Sequence, residues 1–217
     1  MPETTRQWYD RVSATIAAEG HRGWRCQDWT TWPFDDELAV RELQPPAPDG
    51  EPARQGEDGD CPLCESSRRD DPSDYVAWRD ELWMLGTPFA STAMPFLGFL
   101  MPRRHTDLSG LTASEAARMG ELLVRLEQAV TEVLDVPRVQ LYRWGDGNEH
   151  LHWWVLGRPT AQLQLRGTFL PMWDDLLPAR DPAALRSDTD LVAARLVELA
   201  GGEALPDVSS RRRDTDD

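Results

Sequence analysis

Two cysteines separated by two residues carry the strongest chemical signal in this chain. The spacing Cys61-Pro62-Leu63-Cys64 lets both sulfurs reach one ion from a tight turn, which suits a metal better than a disulfide. Zinc then needs two further ligands to complete a tetrahedron. The alternative is a loop with two cysteines and nothing bound. The third cysteine, Cys26, is interpreted as a buried free thiol.

The two remaining ligands must come from four histidines. His21 stands among glycines on the far side of a flexible segment, whereas His105 follows a predicted strand and His150 begins another. We therefore expect one zinc ion, held by Cys61, Cys64, His105 and His150. Because four protein ligands leave no position for a substrate, the ion would be structural.

The remaining histidine, His152, is the candidate for catalysis. Side chains alternate along a strand, so His150, His152 and Trp154 share one face. Two histidines at this spacing could both bind metal. Alternatively, the first binds metal and the second stays free. A neutral imidazole whose other nitrogen donates to a backbone carbonyl is a competent nucleophile.

The stretch His150-Leu151-His152-Trp153-Trp154-Val155 resembles the histidine-triad motif, in which histidines alternate with apolar residues. The stretch FLGFLMPRRH, which ends at His105 and is followed by Asp107-Leu108 and a long predicted helix, is similar to the segment that precedes the triad in that superfamily. The likeness covers roughly Cys61 to Arg158. It indicates the zinc-bearing branch, which includes galactose-1-phosphate uridylyltransferase and bacterial triad hydrolases.

This resemblance implies an α+β fold, with an antiparallel sheet, a long helix packed on it and an N-terminal helix and strand extension. The branch binds metal with two cysteines, a distant histidine and the first motif histidine, which match Cys61, Cys64, His105 and His150. The middle histidine of the family, which attacks phosphorus and forms a nucleotidyl-enzyme, matches His152.

Two features depart from the family pattern. The strand Trp83-Met84-Leu85-Gly86 lacks the Asp that holds the ribose hydroxyls in triad hydrolases. Trp154 stands where the family has a histidine or, in the uridylyltransferase, a glutamine. A tryptophan can donate one N–H and cannot act as an acid.

The resemblance implies a nucleotidyl hydrolase or transferase that acts on a nucleoside phosphate or sugar nucleotide through a covalent His152 intermediate. Gly147-Asn148 is similar to the family loop that donates hydrogen bonds to phosphate. Asn148 and Arg143 are the expected phosphate contacts, with Trp154 and Gln164 as further substrate contacts. Arg143 could equally be a solvated charge at a strand end. Family members are commonly symmetric dimers, so a homodimer is expected.

Two other functions remain open. The chain could be a catalytically impaired zinc protein that binds a nucleotide or another small ligand, with Trp153, Trp154 and others of its ten tryptophans lining an aromatic pocket. It could also be a tailoring transferase whose acceptor is not a nucleotide.

Composition narrows the range of partners. The chain carries 38 acidic and 23 basic residues, for a net charge of -15, and every basic residue is an arginine. This charge would repel nucleic acid, although two or three arginines in a cleft could still bind a local anion. The N-terminus resembles no signal peptide, and no apolar stretch approaches the ~20 residues needed to cross a bilayer. We expect a soluble, cytoplasmic protein that does not bind membranes.

Hydrophobic periodicity supplies the elements that must position these residues. A capping box at Thr112 and Glu115 opens the long helix. The predicted helices are Thr4 to Ala18, the long helix from Thr112 to Val133, and Leu185 to Leu199; the predicted strands lie in Trp29 to Leu43, Tyr75 to Trp78, Leu82 to Leu85, Pro95 to Met101, Val139 to Trp144 and His150 to Leu156.

These elements predict four parts of the chain. Residues 1–44 form an N-terminal extension, and residues 45–60, rich in proline, glycine and acids, form a flexible linker. Residues 61–180 form the histidine-triad-like domain. Residues 181–217 form a C-terminal helix and a disordered tail.

Overall fold

The computed structural model describes residues 5–19, 43–57, 59–68, 74–87 and 92–205. The chain divides into two compact units, Met1–Ala53 and Arg54–Asp217, with the boundary inside the segment predicted to be a linker. The first unit contains helix α1, Thr5–Glu19, close to the predicted helix. Two predicted parts lie outside the described residues. One is the strand region from Trp29 to Leu43, apart from Leu43 itself, and the other is the C-terminal tail from Val208.

The second unit is built on a six-stranded antiparallel sheet, which confirms the predicted α+β class. Its strands are β1 Val76–Arg79, β2 Trp83–Gly86, β3 Phe96–Pro102, β4 Val139–Tyr142, β5 Trp153–Gly157 and β6 Glu203–Ala204. Their order across the sheet is β4-β5-β3-β2-β1-β6. The apolar run that forms β3 lies inside the sheet between β2 and β5, as expected for a strand buried on both faces.

Two of the helices cover one face of the sheet. The helices of this unit are α2 Pro62–Ser67, α3 Ala113–Val133, α4 Leu170–Leu176 and α5 Pro182–Ala200. Leu122 and Leu126 of α3 and Leu196 of α5 are fully buried together with the apolar side chains of the strands. Within the described ranges, no helix is long and apolar enough to cross a membrane.

The register of β3 and β5 brings the distant histidines to one edge of the sheet. Leu100 near the end of β3 pairs with Trp153 at the start of β5. Because the strands are antiparallel, the segment after β3, which carries His105, lies beside the segment before β5, which carries His150 and His152. The bond from Leu151 N to Thr106 O, 2.8 Å, continues this pairing beyond the strands.

Two local features differ from the sequence predictions. The strand predicted from His150 begins only at Trp153, so the histidine pair lies in an extended segment that precedes β5. The segment Gln162 to Asp175, which no periodicity assigned, contains a 3₁₀ turn at Gly167–Phe169 and most of α4.

Thr112 caps α3, and its removal should destabilise the unit. Its hydroxyl accepts from Glu115 N, and the Glu115 carboxylate accepts from Thr112 N at 2.7 Å, so a full capping box is present. We expect Thr112→Ala to lower the free energy of unfolding by about 1 kcal/mol in urea titrations. Thr131→Ala, in the last turn of the same helix, where the hydroxyl caps no free N–H, is the matched control and should not lower it. Equal effects of the two substitutions would contradict the capping role.

Candidate metal centre and histidine site

Four side chains converge at the edge where β3 ends and β5 approaches. Cys61 precedes α2 with Pro62 at its first position, and Cys64 lies in that helix, so one short turn presents both sulfurs. The ligand atoms of Cys61, Cys64, His105 and His150 all lie within 4.8 Å of one another, and only His105 is not fully buried. This is the set that the sequence predicts.

The distances fit a tetrahedral metal ion. Cys61 Sγ and Cys64 Sγ lie 3.5 and 3.3 Å from His150 Nδ1, and Cys64 Sγ lies 3.5 Å from His105 Nδ1. Zinc–sulfur and zinc–nitrogen bonds of ordinary length at tetrahedral angles separate sulfur from nitrogen by about 3.6 Å. The cluster therefore has the spacing of a closed four-ligand site.

Both imidazoles are oriented with Nδ1 toward the cluster. His150 Nε2 donates to Pro102 O at 2.8 Å, and His105 Nε2 donates to Glu149 Oε2 at 3.1 Å. These bonds fix the tautomer in which Nδ1 keeps its lone pair, as is usual for histidines that bind metal. Burial lowers the pKa of His150 to about 4, which keeps its ring neutral at pH 7.

Burial has the opposite effect on the pKa of the Cys64 thiol. Burial, together with the neighbouring Cys61, raises the pKa of Cys64 to about 11. A cation among these sulfurs would supply the charge that favours the thiolate form, and its binding would release protons.

His152 lies next to the cluster but is oriented differently. Its Nδ1 donates to His150 O at 2.9 Å, so in the neutral ring Nε2 carries the free lone pair. The ring is half-buried and packs near Phe99 and Trp154, with centroids 6.1 and 6.4 Å away. Of the two alternatives for the histidine pair, this geometry favours the one in which the second imidazole stays free.

An aromatic row lies beside His152. Phe99, Trp154 and Tyr142 pair across β3, β5 and β4, which places them on one face of the sheet. Trp144 stacks on Tyr142 at 5.3 Å with an interplanar angle of 3°, and its edge meets Trp154 at 5.5 Å. Trp144 is 52% exposed, so about half of its surface is open to solvent beside Trp154.

Trp153 does not belong to this row, contrary to the expected aromatic pocket. It points to the helix-covered face, where its Nε1 donates to Met119 Sδ of α3. The reason is the strand alternation that places Trp154 on the opposite face.

The expected phosphate contacts are partly occupied. Asn148 Oδ1 accepts from His150 N at 2.8 Å, and Nδ2 lies 3.5 Å from Gln55 Oε1. Arg143 Nη2 donates to Asp107 Oδ1 at 2.5 Å, while its buried Nε has no partner among the described residues. Gln164 lies in an exposed turn, and no contact of the described residues joins its side chain to His152.

The sequence did not predict a charged network beside the loop that carries Asn148. Asp107 accepts from Arg143 and, at 2.7 Å, from Arg54. Burial opposes the charge of Asp107, but the bonds from Arg54, Leu108 N and Arg143 lower its pKa to about 2. Its carboxylate is therefore ionised at neutral pH and ties two arginines together.

Arg54 belongs to a strap, residues 54–57, that runs beside the loop before the histidine pair. Gln55 N donates to Gly147 O, and Glu149 N donates to Gln55 O, both at 3.0 Å. Gly56, at φ +97°, approaches so closely that a Cβ would lie 3.2 Å from the His105 ring. The proline- and acid-rich sequence around this strap predicts a flexible linker. Only the segment Arg54-Gln55-Gly56 within it could have indicated a contact with the rest of the unit.

No family model and no curated protein matches the chain. Solved structures do match. A zinc-bound histidine triad family protein from Mycobacterium smegmatis is 21% identical over 64% of this chain and 94% of its own, with a TM-score of 0.48. A histidine triad protein from Bradyrhizobium japonicum is 19% identical over 57% of this chain and 91% of its own, with a TM-score of 0.44. A uridylyltransferase is 21% identical over 64% of this chain and 45% of its own, with a TM-score of 0.45. The matching structures thus belong to the groups that the sequence motif resembles.

Loss of one thiol should empty and destabilise the cluster. We expect wild-type protein to carry one zinc ion per chain and Cys64→Ser to carry far less, because serine is a poor zinc ligand. The free energy of unfolding should fall by more than about 3 kcal/mol, since metal-binding energy is folding energy here. Metal analysis and urea unfolding under reducing conditions measure both effects. Cys26→Ser is the matched control and should keep its zinc; equal zinc content in both variants would contradict the assignment.

Proposed function

We propose that this protein is a nucleotidyl hydrolase or transferase that acts on a nucleoside phosphate or sugar nucleotide through a covalent intermediate on His152. The observation that carries the proposal is the hydrogen bond from His152 Nδ1 to His150 O. It holds the imidazole in the tautomer whose Nε2 can attack.

The proposed reaction has two in-line steps. In the first, the lone pair of His152 Nε2 forms a bond to the α-phosphorus, and the bond from phosphorus to the leaving oxygen breaks with its electrons on that oxygen. In the second, water or another hydroxyl acceptor attacks the same phosphorus, the P–N bond breaks, and the acceptor loses its proton. Positioning and charge neutralisation provide most of the acceleration in such transfers.

Groups near His152 suit a nucleoside phosphate. The open face of Trp144 offers a stacking surface for a planar base, and its stacking on Tyr142 holds it in place. Arg143 is the cation proposed to meet the phosphate, exchanging part of its bond to Asp107 for a phosphate oxygen. Asn148, whose Oδ1 accepts from His150 N, would exchange the long contact of its Nδ2 with Gln55 Oε1 for a phosphate oxygen.

A structural zinc ion completes the proposal. Cys61, Cys64, His105 and His150 would hold it, and it would supply a crosslink between chain segments rather than Lewis-acid chemistry, because no ligand position is left for substrate. Such a site requires reduced thiols, which accords with a cytoplasmic location. By the sequence resemblance, we also propose a homodimer around α3, with residues 61–180 as the catalytic part.

Trp154 favours a second candidate function, a zinc-stabilised protein that binds a nucleotide or related ligand without turning it over. The indole lies 6.4 Å from the His152 ring and 4.7 Å from Phe99, so an apolar wall stands where a polar side chain would meet the phosphate and the leaving group. A leaving oxygen on that side would lack a side-chain acid.

A labelling experiment separates the two functions. The zinc-loaded protein is incubated with a panel of α-³²P nucleoside phosphates and sugar nucleotides, and the adduct is measured after denaturing gel electrophoresis. We expect a labelled protein that is stable to base and labile to acid, and no label in His152→Ala. His21→Ala is the matched control, and zinc content verifies that His152→Ala keeps its metal centre. Saturable binding with no adduct from any nucleotide would support the binding protein and contradict the enzyme.

A further inference from the structure

A second cleft lies apart from the histidine site. It has a volume of about 490 Å³ and opens between α2, the β1–β2 hairpin, the segment after β3 and the start of α3. No side chain of the metal cluster, of His152 or of the aromatic row lines it. Its size falls within the range of small-molecule sites.

Four arginines line this cleft in a chain whose net charge is -15: Arg68, Arg79, Arg103 and Arg104. They come from three separate segments, so their convergence results from the fold rather than from a local run of sequence. Like charges gathered in one cleft repel one another unless an anion lies among them.

Neighbouring carboxylates form ion pairs with only two of these four arginines. Arg104 forms a two-pronged pair with Glu115, at 3.0 and 2.8 Å, and Arg79 pairs with Glu203. Among the described residues, Arg68 and Arg103 contact no carboxylate, and the Arg103 guanidinium donates only to Asp80 O at 3.1 Å.

The carboxylates of Asp80 and Glu115, near this end of the hairpin, already bind other groups. Asp80 binds Arg118 at 2.8 Å and accepts from Leu82 N and Trp83 N. Glu115 also accepts from Thr112 N as part of the capping box. Glu81 is the one acidic side chain lining the cleft that is not engaged in an ion pair, which leaves a net positive charge among the lining groups.

The floor of the cleft is apolar. Val76 and Met84 are buried side chains of β1 and β2, and Leu82 lies between these strands. A ligand that fits the whole cleft therefore combines an anionic group for the arginines with a compact apolar body for the floor.

We propose that this cleft binds a small organic phosphate, with Arg68 and Arg103 holding the phosphate group and Val76 and Met84 contacting the organic part. A phosphate carries three terminal oxygens and up to two charges, so it can accept from guanidinium groups on two different segments at once. A carboxylate has two coplanar oxygens and is satisfied by a single guanidinium. The site does not depend on the reaction proposed for His152.

The test uses nuclear magnetic resonance of the full-length, zinc-loaded protein labelled with ¹⁵N. Phenyl phosphate, inorganic phosphate and benzoate are titrated at constant ionic strength. The Nε–H signals of Arg68 and Arg103 are followed in the wild type, and the backbone amide signals of Val76 and Met84 are followed in all variants. We expect saturable shifts of these signals, with phenyl phosphate binding more tightly than inorganic phosphate and benzoate binding most weakly.

Charge-matched variants separate this site from nonspecific attraction. Arg68→Gln/Arg103→Gln should weaken phenyl phosphate binding about tenfold or more. Arg138→Gln/Arg166→Gln removes two arginines that donate to backbone carbonyls elsewhere on the unit and should leave the affinity unchanged.

Four results would overturn the proposal. Shifts that do not saturate would show general charge attraction rather than a site. An equal loss of phenyl phosphate affinity in both double variants would show the same. Shifts confined to residues around His152 would place all phosphate binding at that site. Benzoate binding as tightly as phenyl phosphate would exclude a phosphate-selective cleft.

Discussion

The position of His150 connects the four-residue Cys/His cluster to His152, the proposed nucleophile. Its Nδ1 faces the two sulfurs, its Nε2 donates to Pro102 O at the end of β3, and its carbonyl accepts from His152 Nδ1. One residue therefore joins the cluster, the central strand and the candidate nucleophile. If the cluster lost its metal, the backbone carbonyl that sets the tautomer of His152 would lose one of its anchors, and only the bonds of this segment to Pro102, Asn148 and Thr106 would still hold it.

The charges around this centre form a second layer of support. Glu149 accepts from His105, Asp107 ties Arg54 to Arg143, and the strap 54–57 pairs with the loop that leads to His150. These contacts are partly exposed, so each is worth little alone in water. Together they fix a loop that contains two glycines and would otherwise sample many conformations. A phosphate that reached Arg143 would enter a site whose cation is already aligned by Asp107.

The sequence predicts the sheet and the long helix because each rests on a local pattern. It predicts the four-residue cluster because the chain has only three cysteines and four histidines, and the motif resemblance indicates which of them bind metal. The apolar run of β3, the capping box at Thr112 and the alternation around His152 follow from spacing alone. The strap was not predicted, because Arg54 and Gln55 act through contacts with residues about 50 to 90 positions away. The arginine cleft was not predicted for the same reason, because its arginines are far apart in the sequence and only the fold brings them together. Trp153 and Trp154, adjacent in a strand, must point to opposite faces, but only the structure shows which of these faces the helix α3 covers.

X-ray absorption at the zinc edge of the purified protein tests the central claim most directly. The account predicts a first shell of two sulfur atoms at about 2.3 Å and two nitrogen atoms at about 2.0–2.1 Å, with the imidazole scattering pattern of two histidines. A shell of oxygen and nitrogen alone, or one with three or more sulfurs, would contradict it. In that case His150 would not join the metal centre to His152, and the assignment of separate roles to the two histidines would fail.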